Sequence, residues 1–292
     1  MAMDVGAGLT GPAQPAAVLE LARVAEEVDG VAPLGEQNVL AIRHGTTGYR
    51  HHWLAGTELV GYAVIDPAGS AELVIHPDDR RQGWGVRLLE AIRTEVPDLA
   101  VWAHGDLPGA RALARSAGLR MVRELWQMGR ELTRPQAEEP DPAQPAPDGV
   151  EVRTFVAGQD DEAWVALNAR AFADHPEQGR LTGTDLRERL SEPWFDPDLF
   201  WLAHEAGNPA ALLASMWVKP QEDTGEIYAL GVAPEAQGRG LGGWLTKVAL
   251  AAMTRRGLRR ATLYVEGANT AAIRTYERAG FMRTAVDTQY SP

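Results

Sequence analysis

The segment Gln237-Gly238-Arg239-Gly240-Leu241-Gly242 decides the reading of this chain. An apolar run, Ile227-Tyr228-Ala229-Leu230-Gly231-Val232, precedes it. An amphipathic stretch from Trp244 to Met253 follows, so the order is strand, glycine turn, helix. Such a turn gathers bare backbone N–H groups beside a helix N-terminus, and that pairing binds phosphate. A second copy, Arg80-Arg81-Gln82-Gly83-Trp84-Gly85, stands 157 residues earlier in the same context. One copy is weak evidence, because glycines also serve tight turns. Two copies in matching surroundings point to a duplicated phosphate-binding module.

Working outward, the two halves carry the same order of signals. Leu73-Val74-Ile75-His76-Pro77 matches Leu230-Gly231-Val232-Ala233-Pro234 at the offset of 157; further on, Trp102 matches Tyr264 and Gly118 matches Gly280 at an offset of 162. In the first half, helices are predicted over 17–28, from the glycine turn to about 95, and over 108–117. Strands are predicted over 53–55, 59–65, 71–77, 99–103 and 121–132. In the second half, helices are predicted over 160–172, after the glycine turn, and over 270–279. Strands are predicted over 200–203, 211–218, 226–232 and 261–265. This alternation implies an α/β fold with a mixed sheet in each half. The segment 134–149 holds Pro135, Pro140, Pro142, Pro145 and Pro147, which favour an extended linker. The expected division is a first domain over 1–134, a linker over 135–149 and a second domain over 150–292.

Composition narrows the function. The chain has 292 residues, enough for two domains, and a hydrophobic fraction of 45% with nine Trp supports filled cores. The net charge of -12 argues against a general nucleic-acid or anionic-membrane binder, since both need a basic face. Cysteine is absent, which removes disulfides, a thiolate nucleophile and thiolate-bound metals. No apolar run approaches the ~20 residues of a membrane span. Residues 1–17 are rich in Gly, Ala and Pro without a basic segment, and read as a loose arm rather than a secretory signal. A cytoplasmic monomer is the expectation. His44, His51 and His52 fit no common metal spacing and read as loop or surface residues, and no metal is expected.

The glycine turn, with strand before and helix after, resembles the acyl-CoA pyrophosphate loop of the GCN5-related N-acetyltransferases (GNAT). The later run Asn269-Thr270-Ala271-Ala272-Ile273-Arg274-Thr275-Tyr276-Glu277-Arg278-Ala279-Gly280-Phe281 resembles that family's Asn-x-x-Ala-x-x-x-Tyr-x-x-x-Gly-Phe signature. The resemblance implies two tandem GNAT domains, each a mixed, largely antiparallel sheet flanked by helices, with acetyl-CoA as cosubstrate. It implies an active acetyl-CoA site at Leu230, Gly231, Val232, at Gln237, Gly238, Arg239, Gly240, Leu241, Gly242, Gly243, and at Asn269, Thr270, Ala271, Ala272, Ile273, Arg274. In the first domain it implies a second site at Leu73, Val74, Ile75 and at Arg81, Gln82, Gly83, Trp84, Gly85, Val86.

Acetyl transfer to an amine needs a neutral nucleophile, donors for the developing oxyanion, and a proton for the departing thiolate. An α-amino group has a pKa of about 7.7–8.0, so a base helps at neutral pH. Glu226 opens the strand expected to face the thioester and suits that base, directly or through water. In the resemblance, Tyr276 is the proton donor to the CoA sulfur. Each has a plainer reading, as a strand-end carboxylate and as a core tyrosine. The first half lacks both groups: Gly69 stands at the position of Glu226, Ala114 at that of Tyr276 and Leu107 at that of Asn269. Chemistry is therefore expected in the second domain, with the first binding acetyl-CoA or serving as scaffold.

Further strings resemble one tandem branch of the family that acetylates the cysteinyl amine of a cysteine–glucosamine–inositol conjugate. They include 28–37, Ala71-Glu72-Leu73-Val74, Trp102-Ala103-His104-Gly105, 171–179, Trp194-Phe195-Asp196-Pro197-Asp198, Leu263-Tyr264-Val265-Glu266 and Val286-Asp287-Thr288. That resemblance implies substrate contacts at Glu36, Glu177, Lys219, Glu226 and Tyr264, a set of hydrogen-bonding groups suited to a thiol-sugar rich in hydroxyls. Glu36 comes from the first half, which implies that both modules shape one cleft. Two readings compete with it: the same chemistry on another small amine or a protein N-terminus, and a non-catalytic acyl-CoA sensor. Retention of Glu226 and Tyr276 argues against the sensor.

Overall fold

The computed structural model describes residues 4–8, 14–55, 58–132, 146–173 and 178–292. Most of the expected linker and Glu177 lie outside the described residues. The chain divides into two compact units, Met1–Leu125 with Ala285–Pro292, and Trp126–Thr284. Residues 126–134 thus go with the second unit and the last eight residues with the first, which differs from a division at the linker.

In chain order the first unit begins β1 (Asp4–Gly8), α1 (Pro15–Asp29), α2 (Glu36–His44), β2 (Arg50–Ala55), β3 (Leu59–Ile65) and β4 (Ser70–Ile75). It continues through α3 (Trp84–Glu95), β5 (Ala100–Ala103), α4 (Pro108–Ser116) and β6 (Arg120–Glu131), whose later residues belong to the second unit. Strands β1 to β4 pair antiparallel in sequence, and β4 pairs parallel to β5. Strand β3 alternates as a sheet buried on both faces must. Ala63 and Ile65 pack with Leu88, Leu89 and Ile92 of α3, while Tyr62 and Val64 pack with Val18, Leu21 and Ala25 of α1. Thr288, Gln289 and Tyr290 near the C-terminus pair antiparallel to β5 and complete this sheet.

Two expectations are corrected here. The N-terminal arm is not wholly loose: Asp4–Gly8 pair with β2, using backbone groups that its side chains do not advertise. His51 and His52 are not loop or surface residues. They lie buried in β2, and His51 Nδ1 is 2.5 Å from the Tyr62 hydroxyl.

The second unit comprises β7 (Val150–Thr154), α5 (Asp161–Ala171), α6 (Gly183–Leu190), β8 (Phe200–Glu205), β9 (Asn208–Gln221), β10 (Thr224–Val232), α7 (Leu241–Arg255), β11 (Arg260–Glu266), α8 (Thr270–Arg278) and the start of β12 (Met282–Ser291). Strands β7 to β10 pair antiparallel in order, and β10 pairs parallel to β11. The core is aromatic. Phe200 stacks on Phe155 at 4.3 Å and on Trp217 at 4.4 Å, and Trp164 meets Phe200 and Trp217 edge-on. The buried Trp164 indole N–H donates to Ser215 Oγ at 3.1 Å, which satisfies its polar atom. Among the described residues no helix is long and apolar enough to cross a membrane.

Candidate active site

The two glycine turns have one backbone geometry. Gln237 and Arg80 adopt φ/ψ of -63/154° and -69/162°, and Gly240 and Gly83 adopt 79/4° and 87/-1°. Gly240 and Gly83 are the N-caps of α7 and α3; glycine holds this left-handed conformation without a Cβ penalty. Neither helix has a side-chain cap or an acidic residue in its first turn, so the leading N–H groups face outward without a competing carboxylate. Gly238 lies at φ +78°; the first unit has Arg81 there, at φ +64°. A non-glycine residue in this region costs about 1–2 kcal/mol, so the first unit keeps the turn despite losing a glycine. Arg80 is committed elsewhere, donating twice to Asp29 at 2.7 Å. Arg239 donates to Glu205 at 2.9 Å. Both guanidinium groups are thus already paired with carboxylates, which leaves the backbone N–H groups as the donors each turn can offer to an anion.

Behind each turn the parallel strands part. Strand β10 is in register with β11 only over Thr224–Ile227 and Arg260–Leu263, and β4 with β5 only at Ser70–Ala100 and Ala71–Val101. Tyr228 is the extra residue of a bulge opposite Val218 and Trp217, and it marks where β10 leaves β11. Beyond it, Leu230, Gly231 and Val232 turn one backbone edge toward the gap. A chain-like ligand can pair with such an edge as a strand would. The fit is tight on the other side, where a Cβ at Gly231 would come within 3.2 Å of Ala171 and Phe172. In the first unit the gap opens into a cavity of about 610 Å³. Its lining includes Leu73–Ile75, Gly83–Val86 and Trp102.

Glu226 sits on the last paired stretch of β10, directly across from Lys219 on β9 and from Thr262 on β11. It is half-buried, and the one-residue bulge at Tyr228 sets it on the face of the strand opposite Leu230. The Lys219 ammonium lies over the rings of Trp194, at 5.1 Å, and Tyr228, at 5.7 Å. Trp194 and Trp217 each pack against Tyr228 at 5.1 Å. The buried Arg189 donates its Nε–H to the Tyr228 hydroxyl at 2.7 Å. Trp194, Tyr228 and Arg189 thus build the floor beneath Lys219, and no motif in the sequence marks any of the three as a site residue. Tyr264 is exposed on β11 past the paired stretch, and its hydroxyl accepts from Gln127 Nε2 at 3.1 Å.

Asn269 caps α8, its side chain accepting from the Ala272 N–H at 3.1 Å. Thr270, Ala271, Ala272, Ile273 and Arg274 form the first turns of that helix, and Thr275 reaches the start of α7 at Gly243. Tyr276 is buried, packs on Phe281 at 5.8 Å, and burial raises its phenol above the ordinary range. It therefore stays protonated throughout neutral pH. The matching helix α4 of the first unit starts at Leu107 without a side-chain cap and carries the buried Ala114. Gly69 lies in the turn before β4 at φ +86°. Glu36, the remaining described residue of the proposed substrate set, is the first residue of α2.

The Acetyltransferase (GNAT) family model matches residues 164–281. The mycothiol acetyltransferase of Thermobispora bispora is 48% identical over 96% of this chain and 96% of its own. That of Beutenbergia cavernae is 50% identical over 97% of each. A GCN5-related N-acetyltransferase structure from Sphaerobacter thermophilus superposes with a TM-score of 0.68 at 24% identity, over 99% of this chain and 95% of that one. A tandem GNAT protein from the clavulanic acid biosynthesis pathway does so with a TM-score of 0.70 at 17% identity, over 100% and 98%. These structures establish the fold, and the near full-length relatives establish the lineage: this chain belongs to the mycothiol acetyltransferase family of the GNAT acetyltransferases.

Proposed function

We propose that the chain transfers acetyl from acetyl-CoA to the cysteinyl amine of 1D-myo-inositol 2-(L-cysteinylamino)-2-deoxy-α-D-glucopyranoside, giving mycothiol and CoA. The observation that carries the reading is the position of Glu226. It stands on the last paired stretch of β10, where the parallel strands begin to part, one short strand from the uncapped start of α7. In this scheme the pyrophosphate of acetyl-CoA binds the N–H groups of residues 238–243, and the pantetheine pairs with the free edge of 230–232. The amine gives a proton to Glu226, directly or through water, and its nitrogen bonds to the thioester carbon. The carbon–sulfur bond then breaks, and Tyr276 protonates the departing thiolate. Lys219, Tyr264, Glu36 and Glu177 are assigned to the hydroxyl-rich substrate, together with Glu226.

The name of the relatives supports the choice of amine, and the bare α4 of the first unit supports confining chemistry to the second. The first unit keeps the turn and the cavity, and is assigned a second acetyl-CoA without turnover. The enzyme is assigned to the cytoplasm as a monomer, with neither metal nor nucleic acid. The test is CoA release from acetyl-CoA with a panel of amines: the cysteine–glucosamine–inositol conjugate, free cysteine, glucosamine and a peptide N-terminus. The conjugate should give the highest kcat/KM by at least tenfold. Equal rates across the panel would reject the substrate assignment.

A further inference from the structure

A buried network in the first unit plays no part in the proposed chemistry. Glu72 on β4 is 5% exposed, and its Oε1 lies 3.0 Å from His104 Nε2. His104 Nδ1 lies 3.0 Å from Asp287 Oδ2, and Asp287 Oδ1 accepts from the Gly105 N–H at 2.7 Å. Glu72 Oε2 accepts from the Gly35 N–H at 2.7 Å. Each carboxylate therefore uses both oxygens and the imidazole both nitrogens. Burial alone would lower the His104 pKa, but the Glu72 charge and the hydrogen bonds from Asp287 and Glu72 outweigh it and raise it to about 10. The ring is a charged double donor at neutral pH. With no free nitrogen, it is unable to act as a base or a nucleophile.

A buried ion group of this kind is weak as a source of stability, since apolar replacements often serve equally well. A fully satisfied network does fix geometry. Here the geometry it fixes is the start of α2. Gly35 is the N-cap of that helix and offers no side-chain cap of its own, so Glu72 supplies one from β4. A Cβ at Gly35 would sit 2.9 Å from Glu72 Oε1, so glycine is what lets the carboxylate approach. The next residue along is Glu36.

We infer that His104 is a positioning residue for the amine substrate: clamped between Glu72 and Asp287, it holds the start of α2 so that Glu36 is set to bind the hydroxyl-rich thiol-sugar. This rests on the assignment of Glu36 under the proposed function. The four participants fall within segments 28–37, 71–74, 102–105 and 286–288, which the sequence presents as unconnected strings. The network gives those strings a common purpose.

The test compares E36Q, H104Q and the double variant in the full chain, with acetyl-CoA and the cysteine–glucosamine–inositol amine. H104Q should raise KM for the amine roughly tenfold, within the range of couplings inside one network. KM for acetyl-CoA and kcat should stay within about twofold, and adding H104Q to E36Q should raise KM no further. D287N, which keeps the shape of the site, should show the same split and serves if H104Q does not fold. If E36Q raises KM but H104Q and D287N do not, the positioning role is wrong and the Glu36 assignment stands. If E36Q itself leaves KM unchanged, the Glu36 assignment fails and the positioning role falls with it.

Discussion

Lys219 and Glu226 stand opposite each other in the β9–β10 ladder, and the Lys219 ammonium rests on the rings of Trp194 and Tyr228. A cation fixed over two rings beside a carboxylate is a preorganised recognition pair. A cation–π contact is worth about 0.5–2 kcal/mol. Trp194→Leu should therefore raise KM for the amine by about two- to thirtyfold, with KM for acetyl-CoA little changed. Trp194→Phe keeps a ring beneath the ammonium and should recover most of the loss. Steady-state kinetics on both variants check this.

The paired turns should be separable by titration. Wild type should bind two acetyl-CoA per chain by calorimetry. Gly83→Val and Gly240→Val each place a β-branched residue in the left-handed region, at φ +87° and +79°, where the backbone strain is about 1–2 kcal/mol or more. Each should leave one binding event, and Gly240→Val should remove turnover with it. A single event in wild type would show that the first unit is scaffold alone.

Tyr276→Phe retains the ring that packs on Phe281 and deletes only the hydroxyl. Thermal stability should hardly move, while kcat should fall on the order of a hundredfold, as for loss of a general acid. Because burial holds the phenol protonated, its ionisation should not appear as a basic limb of the wild-type kcat profile below pH 10. A Tyr276→Phe enzyme with wild-type kcat would leave the tyrosine as core packing.

The His104 network predicts the sign of one pH effect. Its folded pKa lies near 10, above the ordinary 6.5. Between those values the unfolded imidazole has lost its proton and the folded one keeps it, so stability falls as pH rises. The advantage of wild type over H104Q in urea unfolding should be full below about pH 6.5 and shrink toward pH 10. A constant difference across that window would contradict a charged His104.

Legibility in the sequence followed the range of the interaction. The turns at Gly83 and Gly240 are local: a left-handed residue before a helix calls for glycine, so the pattern reads directly. Asn269 is equally local, since a cap bonds three residues along its own chain. Strand β1 left no pattern because its pairing is carried by backbone groups of small residues. The burial of His51 and His52 is not legible locally because it depends on what covers the two faces of β2, with His51 against Tyr62 and His52 beside Glu95 of α3. The floor under Lys219 joins Arg189, Trp194 and Tyr228 from a helix, a loop and a bulged strand. Glu72, His104 and Asp287 meet only once the C-terminal residues have joined the first sheet. No spacing rule reaches across such separations.

The central claim is that Glu226 takes the proton from the attacking amine. Its most direct test is turnover of Glu226→Gln at neutral pH with the cysteine–glucosamine–inositol amine, measured beside the Kd for acetyl-CoA. The variant's kcat/KM should fall by about a hundredfold or more, partly recovered at higher pH as the amine deprotonates unaided, with acetyl-CoA binding near that of wild type. Unchanged turnover at neutral pH would contradict it.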